Sequence, residues 1–273
     1  EALAKPMREF TEGICIELGE GLLAQVLGRT VCGRRLRVLL ESGIKGVSVE
    51  SLMLKYGTMP IPPYIRSGRG DESDKSEYQT TFAEISGSVA APTAGLHLTP
   101  ELIARLEAKG VSVRFVTLHV GPARFIPVST EDWEHHPMPR EHYRVPRETS
   151  RQIRKTKQIG GRVFAVGTTS VRALESLQLV RSFLESADDV ASDEDWFETE
   201  LMIRPGFRFR VVDGIITNFH QPRSTHLLLV AAFLGEDYTQ RAYQHALESD
   251  YRFLSYGDAM CLERENGVGN GNW

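Results

Sequence analysis

At 273 residues, 41% apolar and 25% charged, the chain is long enough for one large domain or two ordinary ones and has the composition of a globular protein. Its longest strongly apolar run, 227–234, falls far short of the roughly 20 residues a membrane span needs, and no charged-apolar-small leader opens the chain, so a cytoplasmic protein without membrane association is expected. The formal net charge of −4 argues against a protein that coats nucleic acid nonspecifically but leaves room for a local basic patch, and three widely spaced cysteines, Cys15, Cys32 and Cys261, suggest neither a disulfide framework nor a zinc knuckle.

In chain order, the first elements are β-prone segments at 14–18, 22–27 and 35–40, separated by Gly19, Gly21, Gly28 and Gly33. They read as part of a small sheet or barrel. Because strand-like sequence begins so soon after Glu1, an upstream segment is expected to be missing and this layer to be incomplete. An apolar-periodic helix at 48–56 is stopped by Gly57, and Pro60, Pro62 and Pro63 then impose an extended strap. Segment 67–77, polar and rich in glycine and serine, reads as a mobile surface loop.

From there the pattern is α/β. Thr99 and Pro100 open a helix that Gly110 stops, and 111–120 reads as a buried strand. A helix at 147–158 leads through Gly160 and Gly161 to a strand at 162–166. Gly167-Thr168-Thr169 then turns into a helix with Val171, Leu174, Leu177 and Val180 or Phe183 inward. A loop at 185–200 holds eight acids and no base, and is expected to lie away from any RNA. Strands at 207–212 and 215–217 precede a helix at 223–234 capped by Gly235 and another from Asp237 to about residue 247. The expected architecture is α/β: a larger mixed α/β domain at 48–273 and a smaller, incomplete β-barrel domain at 1–47.

Several segments are suited to chemistry. The run Gly87-Ser88-Val89-Ala90-Ala91-Pro92-Thr93-Ala94-Gly95-Leu96-His97 is built of small side chains, so its backbone can approach a ligand or pack closely beside a helix. His97 is a candidate acid or base. Val166-Gly167-Thr168-Thr169-Ser170-Val171-Arg172 lies at a strand-to-helix turn suited to a carboxylate or phosphate, although simple capping explains it as well. Thr217-Asn218-Phe219-His220 follows a strand, where polar groups gather in α/β folds, and Ser255-Tyr256-Gly257-Asp258 combines an aromatic ring, a turn glycine and a carboxylate. Arg147, Arg151, Arg154 and Lys155 share one helical face, which suits phosphate contacts or a plain solvated surface. The eight histidines, including His135, His136 and His142, lack the spacing of a metal site, so none is expected.

Taken together, Pro60-Ile61-Pro62-Pro63-Tyr64-Ile65, Tyr78-Gln79-Thr80, Ala91 through His97, Thr117-Leu118-His119-Val120-Gly121, Val166-Gly167-Thr168-Thr169, Pro205-Gly206-Phe207, Thr217-Asn218-Phe219-His220 and Ser255-Tyr256-Gly257-Asp258-Ala259-Met260 resemble, in order, the signatures of the S-adenosylmethionine:tRNA ribosyltransferase-isomerase family of queuosine biosynthesis. The resemblance spans about 50–262, with 1–45 matching more loosely as the later part of the family's β-barrel domain. The sequence departs from the family where Pro122-Ala123-Arg124-Phe125 replaces a glycine-rich turn, where Pro139 replaces a histidine, and where Thr58 stands for the histidine before the proline strap. No counterpart of the family's Asn-Asp-Thr-Arg segment is present.

The resemblance implies an enzyme that uses S-adenosylmethionine as a ribosyl donor and cosubstrate, with no further cofactor. The acceptor is 7-aminomethyl-7-deazaguanine in tRNA and the products are epoxyqueuosine, adenine and methionine. His97, His119, His220 and Asp258 are the expected acid-base residues. Tyr78, Gln79, Pro92, Thr93, Gly95, Thr168, Thr169, Arg172, Asn218 and Tyr256 are expected to bind substrate, and Arg147, Arg151, Arg154 and Lys155 to bind tRNA phosphates. A monomer is expected. A noncatalytic tRNA-binding relative and an S-adenosylmethionine-dependent RNA methyltransferase are the alternatives, although the glycine-rich loop and acidic ribose-binding residue usual in the latter are not recognisable.

Overall fold

The computed structural model describes residues 2–4, 6–30, 35–121, 138, 140–176 and 195–264. The chain divides into two compact units, Glu1–Lys75 and Ser76–Trp273.

In the first unit, β1 (Cys15–Gly19), β2 (Leu22–Arg29) and β3 (Leu36–Ser42) form an antiparallel sheet in that order. Side chains alternate faces along β2, and Leu22, Ala24 and Val26 are buried. The β1–β2 turn contains Gly21 at φ +75°, a left-handed conformation that glycine adopts without a Cβ clash. Helix α1 (Val49–Tyr56) is capped by Ser48, whose hydroxyl accepts from the Ser51 N–H at 3.1 Å, and it buries Leu52. The described strands form an open sheet, not a closed barrel. Segment 67–77 is more ordered than its composition suggests. The Asp74 carboxylate is fully buried, accepts from the Asp71 N–H at 2.7 Å and pairs with Arg66, and the one-turn helix α2 (Asp74–Glu77) starts at it.

The second unit is mixed α/β. Strands β4 (Thr117–His119), β5 (Glu141–Arg144) and β7 (Phe197–Thr199) make one antiparallel sheet. In the other sheet β6 (Phe164–Val166) pairs parallel with β8 (Gly214–Asn218), which pairs antiparallel with β9 (Ala259–Glu263). The helices are α3 (Pro100–Ala108), α4 (Arg147–Gln158), α5 (Thr168–Glu175), α6 (Thr225–Leu234) and α7 (Glu236–Glu248). Thr99 caps α3 and Ser224 caps α6, each accepting from the N–H three residues on. Val171, Ala173, Ile215, Val211 and Val230 form the centre of the core, all with exposures of 0–1%.

Two strand expectations are corrected. Residues 111–116 are not strand, and Val111 and Phe115 are exposed, so only the last third of that segment joins a sheet. Segment 207–212 is not strand either, because the N–H groups of Arg210, Val211 and Val212 donate to the Glu175 carboxylate at 2.8–2.9 Å. Glu175 is 3% exposed and sits at the last turn of α5, where it satisfies donors that a ladder would otherwise use. The inward positions expected at Leu177, Val180 and Phe183 lie outside the described residues, as do Cys32, His135, His136 and the Pro122–Phe125 and Pro139 departures.

Candidate active site

Four of the small-residue and strand-end motifs converge at the carboxyl end of β8. Asn218, the last residue of that strand, is 2% exposed. Its Oδ1 accepts from the Thr93 hydroxyl at 3.0 Å, and its Nδ2 lies 3.2 Å from His97 Nε2, 3.3 Å from the Gly257 carbonyl and 3.4 Å from the Asp258 carbonyl. The two carbonyls settle the orientation of the amide, because reversing it would set oxygen against oxygen. Nδ2 thus also faces His97 Nε2, and an N–H donated there suits the tautomer in which that nitrogen accepts. The His97 side chain is exposed at the end of the loop, while Thr93, Ala94 and Gly95 behind it are buried.

Glycines hold this convergence close. A Cβ on Gly95 would lie 2.9 Å from both Phe82 and Thr80, and one on Gly257 would collide with the Arg252 and Phe253 backbone. Gly167, at φ +89°, packs its turn against Ala94 and donates its N–H to the Ile216 carbonyl at 2.8 Å. That places the buried Thr168 and Thr169, at the start of α5, beside the same loop.

His220 lies two residues past Asn218. Its Nε2 is 2.9 Å from the buried Thr217 hydroxyl, and its backbone N–H donates to the Tyr243 oxygen at 2.9 Å. Burial pushes the Tyr243 phenol up to about 12, against the opposing pull of that N–H, so it remains a neutral acceptor. The His220 ring also stacks on His226 at 5.1 Å. Asp258 accepts from the Arg252 N–H at 2.7 Å and from its guanidinium at 3.2 Å. The backbone donor first, then the guanidinium, hold its carboxyl below the usual value, with a smaller contribution from His97. Tyr78 is 2% exposed and hydrogen-bonds the Ser255 hydroxyl at 2.9 Å, while the exposed Tyr256 meets its ring edge-on at 5.4 Å.

These contacts bring together Tyr78, Thr93, Gly95, His97, Asn218, His220, Tyr256 and Asp258. Pro92 is part of the same loop and Gln79 is exposed beside Tyr78, its carbonyl turned back onto the Thr80 N–H at 3.0 Å. Others lie apart. Arg172 is 7% exposed, pairs with the buried Glu141 and donates through Nε to the Leu201 carbonyl at 2.8 Å, so its guanidinium is committed to the core. His119 ends β4 and packs over Gly87, at the start of the small-residue loop. Arg147, Arg151 and Lys155 are exposed on α4, opposite the buried Thr149, Ser150 and Ile153, and Arg154 is half-buried. Among the described residues no group of His, Cys, Asp or Glu side chains has the arrangement of a metal site, and no helix is long and apolar enough to cross a membrane.

The sequence matches the family model described as queuosine biosynthesis protein over residues 1–262. The chain belongs to this family. A relative from Magnetococcus marinus named S-adenosylmethionine:tRNA ribosyltransferase-isomerase is 45% identical over 98% of this chain and 71% of its own length. One of the same name from Xanthobacter autotrophicus is 44% identical over 98% and 73%. A solved S-adenosylmethionine tRNA ribosyltransferase from Thermotoga maritima is 34% identical, covers 95% of this chain and 68% of its own, and superposes with a TM-score of 0.48.

The residues that unaided sequence reasoning passed over are the supporting ones. Thr217 and Ser255 stood inside quoted motifs but had no assigned partner, and Tyr243 and Arg252 stood outside them. Their signal is spatial, since Tyr243 and Arg252 reach the site from α7 and the segment after it.

Proposed function

We propose that the chain transfers and isomerises the ribosyl moiety of S-adenosylmethionine onto 7-aminomethyl-7-deazaguanine in tRNA, giving epoxyqueuosine and releasing adenine and methionine. Membership of the family and the names of its relatives support this reaction, and they speak against the methyltransferase alternative. The observation that carries the assignment of the site is the Asn218 hub, which gathers the loops of Thr93, His97 and Asp258 around one buried amide.

The chemistry divides among these residues as follows. The sulfonium of the donor acidifies the ribose C5′ hydrogens. His220 is our candidate to take one, using Nδ1 while Thr217 accepts from its Nε2–H. The electron pair left at C5′ forms a C4′=C5′ double bond as the C4′–O4′ bond breaks and the C1′ aldehyde forms with loss of adenine. The aminomethyl nitrogen then adds to C4′, and the regenerated C5′ carbanion closes on C1′ to leave an alkoxide there. Closure of the epoxide displaces methionine from C5′. His97 directs its Nδ1–H as a hydrogen-bond donor to the departing base, and the ionised Asp258 supplies a fixed negative charge beside the cationic donor. Gly95, Thr168 and Thr169 are our assignments for the donor's polar groups, and Tyr256 for stacking on a base. Arg172 holds Glu141 in place of its expected contact with the donor. We further assign the open sheet of the first unit to an incomplete barrel.

Adenine release tests the proposal directly. The chain, S-adenosylmethionine and tRNA carrying 7-aminomethyl-7-deazaguanine are mixed and free adenine is measured. Release that requires the modified tRNA is expected; release without it, or methylated RNA in place of adenine, would overturn the reaction.

A further inference from the structure

The β4–β5–β7 sheet has two unlike faces. Its register pairs Leu118 with Tyr143 and Tyr143 with Phe197, and these three turn into the core. The alternate positions, His119, His142, Arg144 and Glu198, therefore share the opposite face. Trp196, immediately before β7, joins them: its ring centroid is 4.5 Å from that of His119, and the Arg144 guanidinium carbon lies 5.5 Å from it. Trp196 is 40% exposed. The indole thus keeps an open part on this sheet face beside one guanidinium.

Two further observations point to a ligand. His119 Nε2 and Arg144 Nε are both buried, and neither has a hydrogen-bond partner among the described residues. A buried polar atom left unpaired is destabilising, so two beside one exposed indole suggest groups that are satisfied only when something is bound. The face is also joined to the start of the small-residue loop that ends at His97. His119 lies over Gly87, and the next residue, Val120, is joined to the small-residue loop by Val120 N–H to Ser88 Oγ and Val89 N–H to the Val120 carbonyl, both at 3.0 Å. Glu198, on this face, lies 3.6 Å from His142 Nδ1 and pairs with Arg140 at 3.0 Å, and Glu200 pairs with the same guanidinium at 2.8 Å.

We infer that Trp196, Arg144 and His119 form a subsite for a nucleotide of single-stranded RNA adjacent to the reacting base, with its base stacked on Trp196 and its phosphate or base edge hydrogen-bonded by Arg144 and His119. The inference rests on the proposed reaction, which brings an anticodon loop to this part of the unit. A sheet face that pairs an open aromatic ring with a guanidinium is suited to such a strand, because every base offers a π-face and every nucleotide a phosphate. Charge complementarity favours RNA here: among the described residues no carboxylate pairs with Arg144. The subsite would hold the neighbouring nucleotide unstacked from the reacting base, making it a determinant of tRNA binding and register, separate from donor binding.

The test uses an anticodon stem-loop RNA carrying 7-aminomethyl-7-deazaguanine, and versions with an abasic sugar on either side of that base. Trp196→Ala is expected to raise the KM for RNA about tenfold, within the range of one base–aromatic stack, with kcat and the KM for S-adenosylmethionine unchanged. Trp196→Phe should recover most of the loss. One abasic RNA should lose about tenfold with the unmutated protein and nothing more with Trp196→Ala. Arg144→Gln, which leaves the indole in place, should raise the RNA KM by a factor that shrinks with added salt. An RNA KM unchanged in Trp196→Ala, or abasic penalties that are the same with and without the indole, would overturn the subsite. Absence of adenine release by the unmutated protein would instead overturn the proposed reaction.

Discussion

Asn218 can be turned only one way, because the Gly257 and Asp258 carbonyls face its Nδ2, and that orientation sets an amide nitrogen 3.2 Å from His97 Nε2. Leucine at 218 would match the volume but leave those carbonyls and the Thr93 hydroxyl without their partner. Asn218→Leu is expected to lower kcat by about 10²-fold, since misplacing a positioned group by even an ångström has effects of that size, while the KM for S-adenosylmethionine changes little. Steady-state kinetics check this, and a fall in kcat no larger than that of a surface substitution would remove His97 from the account. His119 makes a second prediction. Burial first, then the neighbouring His142 and Arg144, hold its imidazole below the ordinary 6.5. The folded protein therefore binds this proton less readily than the unfolded chain. Stability contributed by the neutral ring is complete above the unfolded value and falls as pH drops from there through the folded value. NMR titration should give a midpoint below 6.5, and His119→Asn should flatten the loss of stability across that window.

At the scale of elements, the clearest lesson comes from segment 207–212. Its alternating pattern is real over 207–211, where Phe207, Phe209 and Val211 are at least partly buried between the exposed Arg208 and Arg210, and it reads as a strand because period-2 alternation registers burial, not hydrogen-bond partners. The N–H groups go to Glu175, a residue far away in sequence on α5. Glu175→Gln keeps the shape but replaces one acceptor oxygen by a donor facing N–H groups. It should cost about 2–3 kcal/mol of stability, measurable by urea denaturation; a cost below about 0.5 kcal/mol would show that this segment is held otherwise. Helix α4 was legible to the residue, since Gly160 and Gly161 end it and its charged face needs no tertiary partner. The strand-end motifs were legible too, because small residues and polar side chains at strand ends constrain the backbone locally. Strand β7 was hidden inside an acid-rich stretch: composition suggested a loop, yet 197–199 pairs with β5, and Arg140 engages Glu198 and Glu200. Arg172 shows the opposite error, where a cation beside a turn looked available for a ligand and is instead committed to Glu141.

For the molecule as a whole, a net charge of −4 has to be reconciled with a polyanionic substrate. Local arrangement does this. The exposed side of α4 presents Arg147, Arg151 and Lys155 at successive turns, and its buried side packs through Ile153. Arg151→Glu with Lys155→Glu should weaken tRNA binding at low salt by about tenfold or more and lessen the salt dependence, because fewer counterions are released; affinity and salt slope both unchanged would mean that α4 is a solvated face. The central claim, however, concerns the reaction. The most direct measurement is mass spectrometry of nucleosides from tRNA carrying 7-aminomethyl-7-deazaguanine after incubation with the chain and S-adenosylmethionine. The account predicts conversion of that nucleoside to epoxyqueuosine with equimolar adenine and methionine. Recovery of the unconverted nucleoside from tRNA shown to be bound by the chain would contradict it.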